Sequence, residues 1–569
     1  MSLYHDSHIS VKHFFFNYKF FFTKIFKCGI IQVNNSNIFE GVLVIGALFK
    51  RRYLFVFVSG LLFSVPFIFP ELCAVSFFSC VPFFMVLFDG LKNRKKNKAI
   101  KYTIVFGAGF YLPVYIWFFW MYPMEQTGVT PMQSLLIVVV AWLIFPILQS
   151  FVLLILPLGL KFFKKINIFL FPALTAFLYV ITEWVQSWFM SGLTWAKLSV
   201  AQYKNLYFMQ SLSLFGTYFA SFVVIFINAC FAVYILNKSY KTASIKNNNL
   251  LILAAVLLCF FNLYFGYFRI MYYDHVEKSR ERQKITAMII QGNISSYDKW
   301  DNIENSFDIY SSLLEENASE DENIDICVFP ETAIPISVKQ NSPTYNRLHN
   351  LAAANDLTLF TGIIYYDDIK DKRYNAILGF DKNYESIPPY GKRHLVPFGE
   401  YLPAEQILTT LFPFVSNISL FDSAITPGEG ANIMAVGGVG YGGLVCFDSI
   451  FPELARKSVL EGADVLIIVT NDSWFRDSPA IYQHNAQAVL RAVENNRYAV
   501  RSANTGISSF ISPTGKILQE SEVLCQEVLT EQIEIVKNKT VYTRFGDIIL
   551  YLSWLYMIFC IIFRFSKKS

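Results

Sequence analysis

The sequence is short of charge. Only 16% of its 569 residues are Asp, Glu, Lys or Arg, against 54% hydrophobic and 17% aromatic. With a mean hydropathy of +0.39, this excludes a soluble protein with an ordinary hydrated surface. A surplus of one sign is missing too. The net charge is +5, and the positive residues sit in short loops between apolar runs, which excludes an extended basic face for nucleic acid. Paired cysteines are also absent. The nine present, Cys28, Cys73, Cys80, Cys230, Cys259, Cys327, Cys446, Cys525 and Cys560, show no regular spacing and no Cys-x-x-Cys, which argues against a disulfide framework or a zinc site. No metal and no cofactor are expected.

Long apolar runs are abundant. Stretches near 53–69, 71–90, 102–121, 132–158, 168–189, 207–236, 250–270 and 546–564 are each long enough to cross about 30 Å of hydrocarbon. They predict seven spans before residue 275 and an eighth at the end. Pro66, Pro70 and Glu71 fall where the first two meet, leaving a tight hairpin and one broken segment as alternatives. Lys50, Arg51, Arg52, Lys92, Arg94, Lys95, Lys96, Lys98, Lys161, Lys164, Lys165, Lys238, Lys241, Lys246, Arg564, Lys567 and Lys568 mark alternate loops. Excess Lys and Arg stays on the cytoplasmic side, so both ends are expected there. The expected organisation is an extension over 1–50, a seven-span membrane domain over 51–274, an extracytoplasmic domain over 275–540, and a final span with a cytoplasmic tail over 541–569. The Phe runs at 14–16 and 20–22 lie among Lys and His with no long uncharged core or small-residue cleavage site. An extension in the cytoplasm or on the membrane surface is therefore expected there instead of a signal peptide.

Between 275 and 540 charge, Asn and Gly rise, and short β-branched runs alternate with amphipathic stretches. This is an α/β pattern. It predicts strands over 285–291, 324–329, 358–363, 376–380, 441–446, 465–469, 498–502 and 507–511, and helices over 302–316, 344–355, 450–460 and 480–496. No internal repeat is visible. Three residues stand in distinctive contexts: Glu331 after a strand, Lys392 in a loop, and Cys446 at a strand end before a helix expected near Ile450. Strand ends of one sheet converge on a common rim. A thiol nucleophile needs a base for its proton and a cation for the oxyanion formed on a carbonyl, and Glu and Lys are suited to these tasks. A helix N-terminus and a nearby Lys would lower the thiol pKa, so thiolate is expected near neutral pH. Each residue also has an ordinary role: Cys446 as a small buried hydrophobe, Glu331 as a turn acid, Lys392 as a solvated loop charge. His394 and His484 leave a Cys-His pairing open. Pattern alone does not choose.

The strings around these residues carry more. They are Gln291-Gly-Asn-Ile with Lys299-Trp300, Phe329-Pro-Glu-Thr-Ala-Ile-Pro335, Tyr374-Asn-Ala, and Tyr390-Gly-Lys-Arg-His-Leu-Val-Pro-Phe-Gly-Glu-Tyr-Leu-Pro403. Then follow Gly443-Leu-Val-Cys-Phe-Asp-Ser-Ile-Phe-Pro-Glu453, Thr470-Asn-Asp-Ser-Trp-Phe475, Gln483-His484, Arg491-Ala-Val-Glu-Asn-Asn-Arg497 and Arg501-Ser-Ala-Asn-Thr-Gly-Ile-Ser508. This ordered series resembles the nitrilase-type carbon–nitrogen hydrolase superfamily, with its Glu-Lys-Cys triad, and within it the apolipoprotein N-acyltransferase family of membrane enzymes. Gly192-Leu-Thr-Trp195 with Ala201-Gln202 resembles a loop of the same family. The resemblance spans roughly residues 50–560.

It implies a polytopic α-helical membrane domain of about eight spans and an extracytoplasmic nitrilase-like α/β domain, an αββα sandwich. The implied reaction moves an acyl chain from a phospholipid to the N-terminal α-amine of an apolipoprotein through a Cys thioester, on the periplasmic side of a bacterial inner membrane. The implied partners are a phospholipid donor, an apolipoprotein acceptor and the bilayer, with no nucleic acid and no metal. Carried over residue by residue, Glu331 is the proton acceptor, Lys392 the oxyanion stabiliser, Cys446 the nucleophile and Glu400 a second carboxylate. The family usually has Tyr-Glu after the nucleophile. Here Phe447 and Asp448 stand instead, losing a hydroxyl and one methylene, which puts the support carried over for Asp448 in doubt. Trp300, Trp474, Phe475 and the stretch 411–418 are candidates for lipid contact, and packing on the core is the alternative for them. Glu183, in an apolar run beside Trp184 and Trp188, is expected to make a polar contact, structural or functional. Two other readings are a membrane-anchored amidase in which water resolves the thioester, and a lipid-binding or transport protein that keeps the fold without chemistry.

Overall fold

The computed structural model describes residues 51–92, 96–124, 129–163, 170–188, 195–240, 245–277, 281–295, 303–318, 323–402, 405, 410 and 425–566. The extension over 1–50, Lys299, Trp300 and the 411–418 stretch lie outside the described residues. The chain divides into two compact units after Phe55, and the second, Val56–Ser569, carries everything that follows.

Among the described residues, Pro70–Leu91, Pro131–Phe162, Tyr218–Tyr240 and Asn248–His275 are long and apolar enough to cross a membrane. Arg52–Ile68, Leu206–Phe215 and Ile548–Phe563 are shorter apolar helices. Further helices run over Lys96–Val114 and Phe171–Trp188. The apolar run expected over 207–236 is not one helix. Two single-turn pieces, Leu206–Met209 and Leu212–Phe215, come first, and the long helix starts only at Tyr218. Gly216 causes the break: its φ is 77°, and a Cβ there would stand 2.5 Å from Oδ1 of Asp547. Glu183 makes the polar contact expected of it, accepting from Ser221 Oγ at 2.6 Å and from the Leu198 N–H at 3.1 Å. A buried carboxylate thus ties two helices and a loop together.

After the helices come two mixed sheets. The first has the order β13-β1-β2-β4-β5-β6, with β3 beside β4. It is built from β1 (Lys284–Gln291), β2 (Ile326–Phe329), β3 (Ser337–Val338), β4 (Thr358–Asp367), β5 (Lys372–Phe380), β6 (Tyr390–Gly391) and β13 (Glu527–Glu534). The second has the order β12-β11-β10-β9-β8-β7, built from β7 (Met434–Val436), β8 (Val439–Val445), β9 (Val465–Thr470), β10 (Tyr498–Ala503), β11 (Ser509–Ile511) and β12 (Ile517–Glu520). In β9 every residue of Val-Leu-Ile-Ile-Val-Thr is buried, as parallel pairing with β8 and β10 requires of a strand covered on both faces. Inward side chains of both sheets, such as Ile289, Val328, Phe360, Val445, Ile467 and Val500, make one core between the layers. The outer face of the first sheet packs on the helices Ile303–Ala318 and Pro343–Ala354. With Pro452–Leu460 and Pro479–Asn495 on the second sheet, the result is an αββα sandwich.

The Pro479–Asn495 helix positions the site. It starts on Ser478, whose Oγ accepts from the Ala480 N–H at 3.3 Å, with Pro at the first helical position, and it ends at Asn496 in the left-handed region. It is buried along almost its whole length, wedged between β-sheet and membrane helices. Gln483 donates to the Phe67 carbonyl at 2.8 Å. Glu494 accepts from the Thr217 N–H at 3.2 Å, and Arg269 reaches Asn496 at 3.0 Å. The sandwich is therefore fixed to the helices by buried polar contacts.

Candidate active site

Cys446 follows the last residue of β8 with φ at 50°, an uncommon backbone conformation for a residue with a Cβ. It opens a five-residue 3₁₀ turn, Cys446–Ile450, and the α-helix begins only at Pro452. No α-helix N-terminus lies at the sulfur, and the expected neutral-pH thiolate is not found. Burial pushes the thiol well up, the Glu331 carboxylate adds to this, and Lys392 opposes without overcoming them. The shift favours the thiol form, so a nucleophilic role for this sulfur requires that its proton be removed.

Glu331 and Lys392 are brought to that sulfur by the first sheet. Glu331 follows β2, and Gly362 on β4 lets the two backbones touch. A Cβ on Gly362 would lie 2.5 Å from Cα of Glu331, while the Ala333 N–H donates to the Gly362 carbonyl at 3.0 Å. Gly362→Ala is expected to displace Glu331 and lower turnover about 10- to 100-fold, checked by steady-state rates alongside thermal unfolding.

Lys392 is 1% exposed, and its Nζ lies 3.3 Å from Glu331 and 2.9 Å from Glu400. Burial works against the ammonium. The two carboxylates outweigh it and hold the pKa well above the ordinary lysine value. Asn375 on β5 completes the array by donating to Glu331 at 2.7 Å and to Glu400 at 2.8 Å. The other Glu331 oxygen accepts from the Asn471 N–H at 2.9 Å, and Glu400 also accepts from the Val396 N–H at 2.8 Å. Glu331, Lys392 and Glu400 are thus buried together, with the partly buried Cys446 in the same site. The sequence reading gave Asn375 and Asn471 no role. An Asn inside the otherwise apolar strand Tyr-Asn-Ala-Ile-Leu is the signal that marks the first of them.

Asp448 is fully buried, and its shorter arm does not leave it idle. It accepts from the Tyr390 hydroxyl at 2.9 Å, from the N–H groups of Arg393 at 3.2 Å and His394 at 2.9 Å, and from the Val445 N–H at 3.3 Å. One carboxylate therefore pins the Lys392 loop to the Cys446 turn. Phe447 packs edge-on against Phe451 at 5.2 Å. His394 stacks on that same ring at 3.9 Å. His484 faces Asp472 and Ser449, at 2.8 Å and 3.1 Å. Phe475 meets Trp117 at 5.2 Å and Trp195 at 5.6 Å, joining the site to the membrane helices, and Trp474 is half-buried beside it. Among the described residues no group of His, Cys, Asp and Glu is arranged to hold a metal ion.

Residues 286–537 match the carbon-nitrogen hydrolase family, and residues 59–230 match the apolipoprotein N-acyltransferase N-terminal domain. A protein from Haemophilus influenzae named apolipoprotein N-acyltransferase is 27% identical over 91% of this chain and 96% of its own length. One of the same name from Geobacter metallireducens is 29% identical over 88% of this chain and 92% of its own. One from Allorhizobium ampelinum is 31% identical over 61% and 64%. The chain belongs to the apolipoprotein N-acyltransferase family.

The two matched regions meet beside this site, 59–230 supplying Trp117 and Trp195 against Phe475, and 286–537 supplying Glu331, Lys392 and Cys446. The Asp448 clamp gives a direct test. Its four neighbours are all donors, so Asp448→Asn turns an amide N–H toward one of them in either orientation. A loss of about 1–3 kcal/mol in stability is expected, together with slower turnover, measured by thermal unfolding and acyl transfer in the same preparation.

Proposed function

We propose that this enzyme transfers an acyl chain from a phospholipid to the α-amino group of the diacylglyceryl-cysteine that begins a lipoprotein, with Cys446 as the nucleophile. The observation that carries the reading is the buried Glu331–Lys392–Glu400 array beside a thiol, in a sandwich that Arg269, on an apolar helix long enough to cross a membrane, bonds at Asn496. Glu331 takes the thiol proton as sulfur attacks the ester carbonyl. Lys392 and a backbone N–H of the nucleophile turn hold the oxyanion. The C–O bond breaks, the proton passes to the leaving oxygen, and a lysophospholipid departs from a thioester. The amine then attacks, Glu331 takes its proton, the C–S bond breaks, and an amide and the free thiol result, in two half-reactions. Glu400 and Asn375 orient Lys392 and Glu331.

Both substrates carry acyl chains, so the site works at the membrane surface. The Lys and Arg distribution supports a catalytic part on the periplasmic face of the inner membrane, with both chain ends in the cytoplasm. The packing of Phe475 on Trp117 and Trp195 supports a role for it and Trp474 in contact with the acyl chains. The names of the relatives support transfer to an amine over transfer to water.

Intact-mass analysis of the purified enzyme with phospholipid tests this. One fatty acyl group should appear on Cys446, labile to hydroxylamine, and should move onto the amine of a diacylglyceryl-cysteine peptide. Discharge only to free fatty acid would instead assign a hydrolase.

A further inference from the structure

Behind Cys446 lies a second set of buried groups that the chemistry above does not use. Ser449 is 0% exposed, and its hydroxyl donates to the Cys446 carbonyl at 2.8 Å. The same oxygen lies 3.1 Å from Nε2 of His484, which itself lies 3.2 Å from the Cys446 carbonyl. On the other side of the ring, Nδ1 meets Oδ1 of Asp472 at 2.8 Å, and Arg501 holds the other Asp472 oxygen at 2.7 Å. Thr470 donates to that same Oδ1 at 2.9 Å. Cys446 is thus gripped at its carbonyl by Ser449 and His484, and His484 carries that grip to Asp472.

The order Asp472–His484–Ser449 matches that of a serine hydrolase relay. Its hydroxyl is sealed from substrate and spent on a backbone carbonyl, so it is not a nucleophile. A carbonyl at a positive-φ residue does not enter a regular helix or strand ladder and needs partners from elsewhere. One partner, Ser449, lies in the same turn; the other, His484, comes from the Pro479–Asn495 helix, where Arg491 also donates to the Ser449 carbonyl at 3.2 Å. The ring of Trp195, from the membrane part, covers His484 at 5.6 Å, and its indole N–H donates to Gln483 beside it.

We propose that Asp472, acting through His484 and Ser449, is a positioning element that holds the Cys446 turn at attack geometry, with Trp195 bracing it from the membrane part. This rests on Cys446 being the acylated nucleophile. Asp472, His484 and Ser449 are positioning residues and do not meet the substrate. The device sets the rate of sulfur attack and leaves donor binding alone.

The test uses full-length enzyme in detergent with mixed micelles of phosphatidylethanolamine, comparing Ser449→Ala, His484→Asn and Trp195→Phe. Single-turnover acylation is followed by intact mass and normalised to thiol titrated in the unfolded protein and to folded fraction. Ser449→Ala and His484→Asn should acylate about 10- to 100-fold more slowly, with donor KM within about twofold of the parent. Trp195→Phe, which keeps a ring and loses the bond to Gln483, should fall between them and the parent. Should His484→Asn fail to fold, Ser449→Ala decides alone, since it removes one hydroxyl. Acylation within about twofold of the parent in Ser449→Ala, or a loss seen only as raised KM or lost folded protein, overturns the proposal. A parent enzyme that never acylates Cys446 refutes the proposed function itself, a separate outcome.

Discussion

Cys446→Ala should abolish acyl transfer, with a loss of at least about 10⁴-fold, while the protein remains folded and membrane-inserted. The expectation follows from the division of labour in the site. In the proposed reaction Glu331 and Lys392 serve a sulfur that has to lose its proton and then carry the acyl group, and a methyl group does neither. Water cannot replace it efficiently, because the donor's carbon would have to be attacked by a molecule that nothing in the buried array is arranged to orient. Ala keeps the Cβ, so the backbone at φ 50° is no more strained than before. Measurement of peptide N-acylation and of acyl mass on the variant checks both halves: no transfer and no adduct, with thermal unfolding near that of the parent.

Lys392→Met should fail differently, in both activity and stability. The ammonium is buried between two carboxylates, at 3.3 Å and 2.9 Å. Removing it leaves Glu331 and Glu400 facing each other across Asn375 with no cation between them. Breaking a buried ion pair on one side costs about 3–5 kcal/mol, and loss of an oxyanion donor costs about 10²–10³ in turnover. Proton uptake by one carboxylate is the cheapest relief, and that same proton would disable the base. Lys392→Met is therefore expected to bind donor lipid but acylate Cys446 too slowly to follow, with a lowered unfolding temperature. Thermal unfolding and single-turnover acylation of one preparation separate the two effects.

Much of this was legible in the sequence, for identifiable reasons. Apolar runs report span positions because lipid leaves the backbone few alternatives to helix. Glu331, Lys392, Cys446 and Glu400 stood out through their local strings, and the structure brings all four together. What failed depended on distant neighbours. The Cys446 thiol was expected low on the strength of a helix start, but Pro452 delays the α-helix, and burial under several elements raises the thiol instead. β13 was absent from the expected strands because Glu527, Glu531, Gln532 and Glu534 break up the apolar pattern of Glu-Val-Leu-Thr-Glu-Gln-Ile-Glu. It is a strand because β1 lies beside it from Lys284↔Glu534 to Gln291↔Glu527. Asp448 was read as a weakened residue from its length alone. The loop supplies donors within its shorter reach, a compensation that no single position displays.

That pairing of β1 with β13 has a mechanical consequence. The polypeptide enters the sheets at Lys284 and leaves them at Glu534, and these two residues are directly opposed in an antiparallel ladder, about 5 Å apart at their Cα atoms. The catalytic half is thus slung from a doubled strap and not from a single cord. Two adjacent connections restrain rotation more than one would, and the bonds of the Pro479–Asn495 helix to Phe67, Thr217 and Arg269 add separate points of attachment.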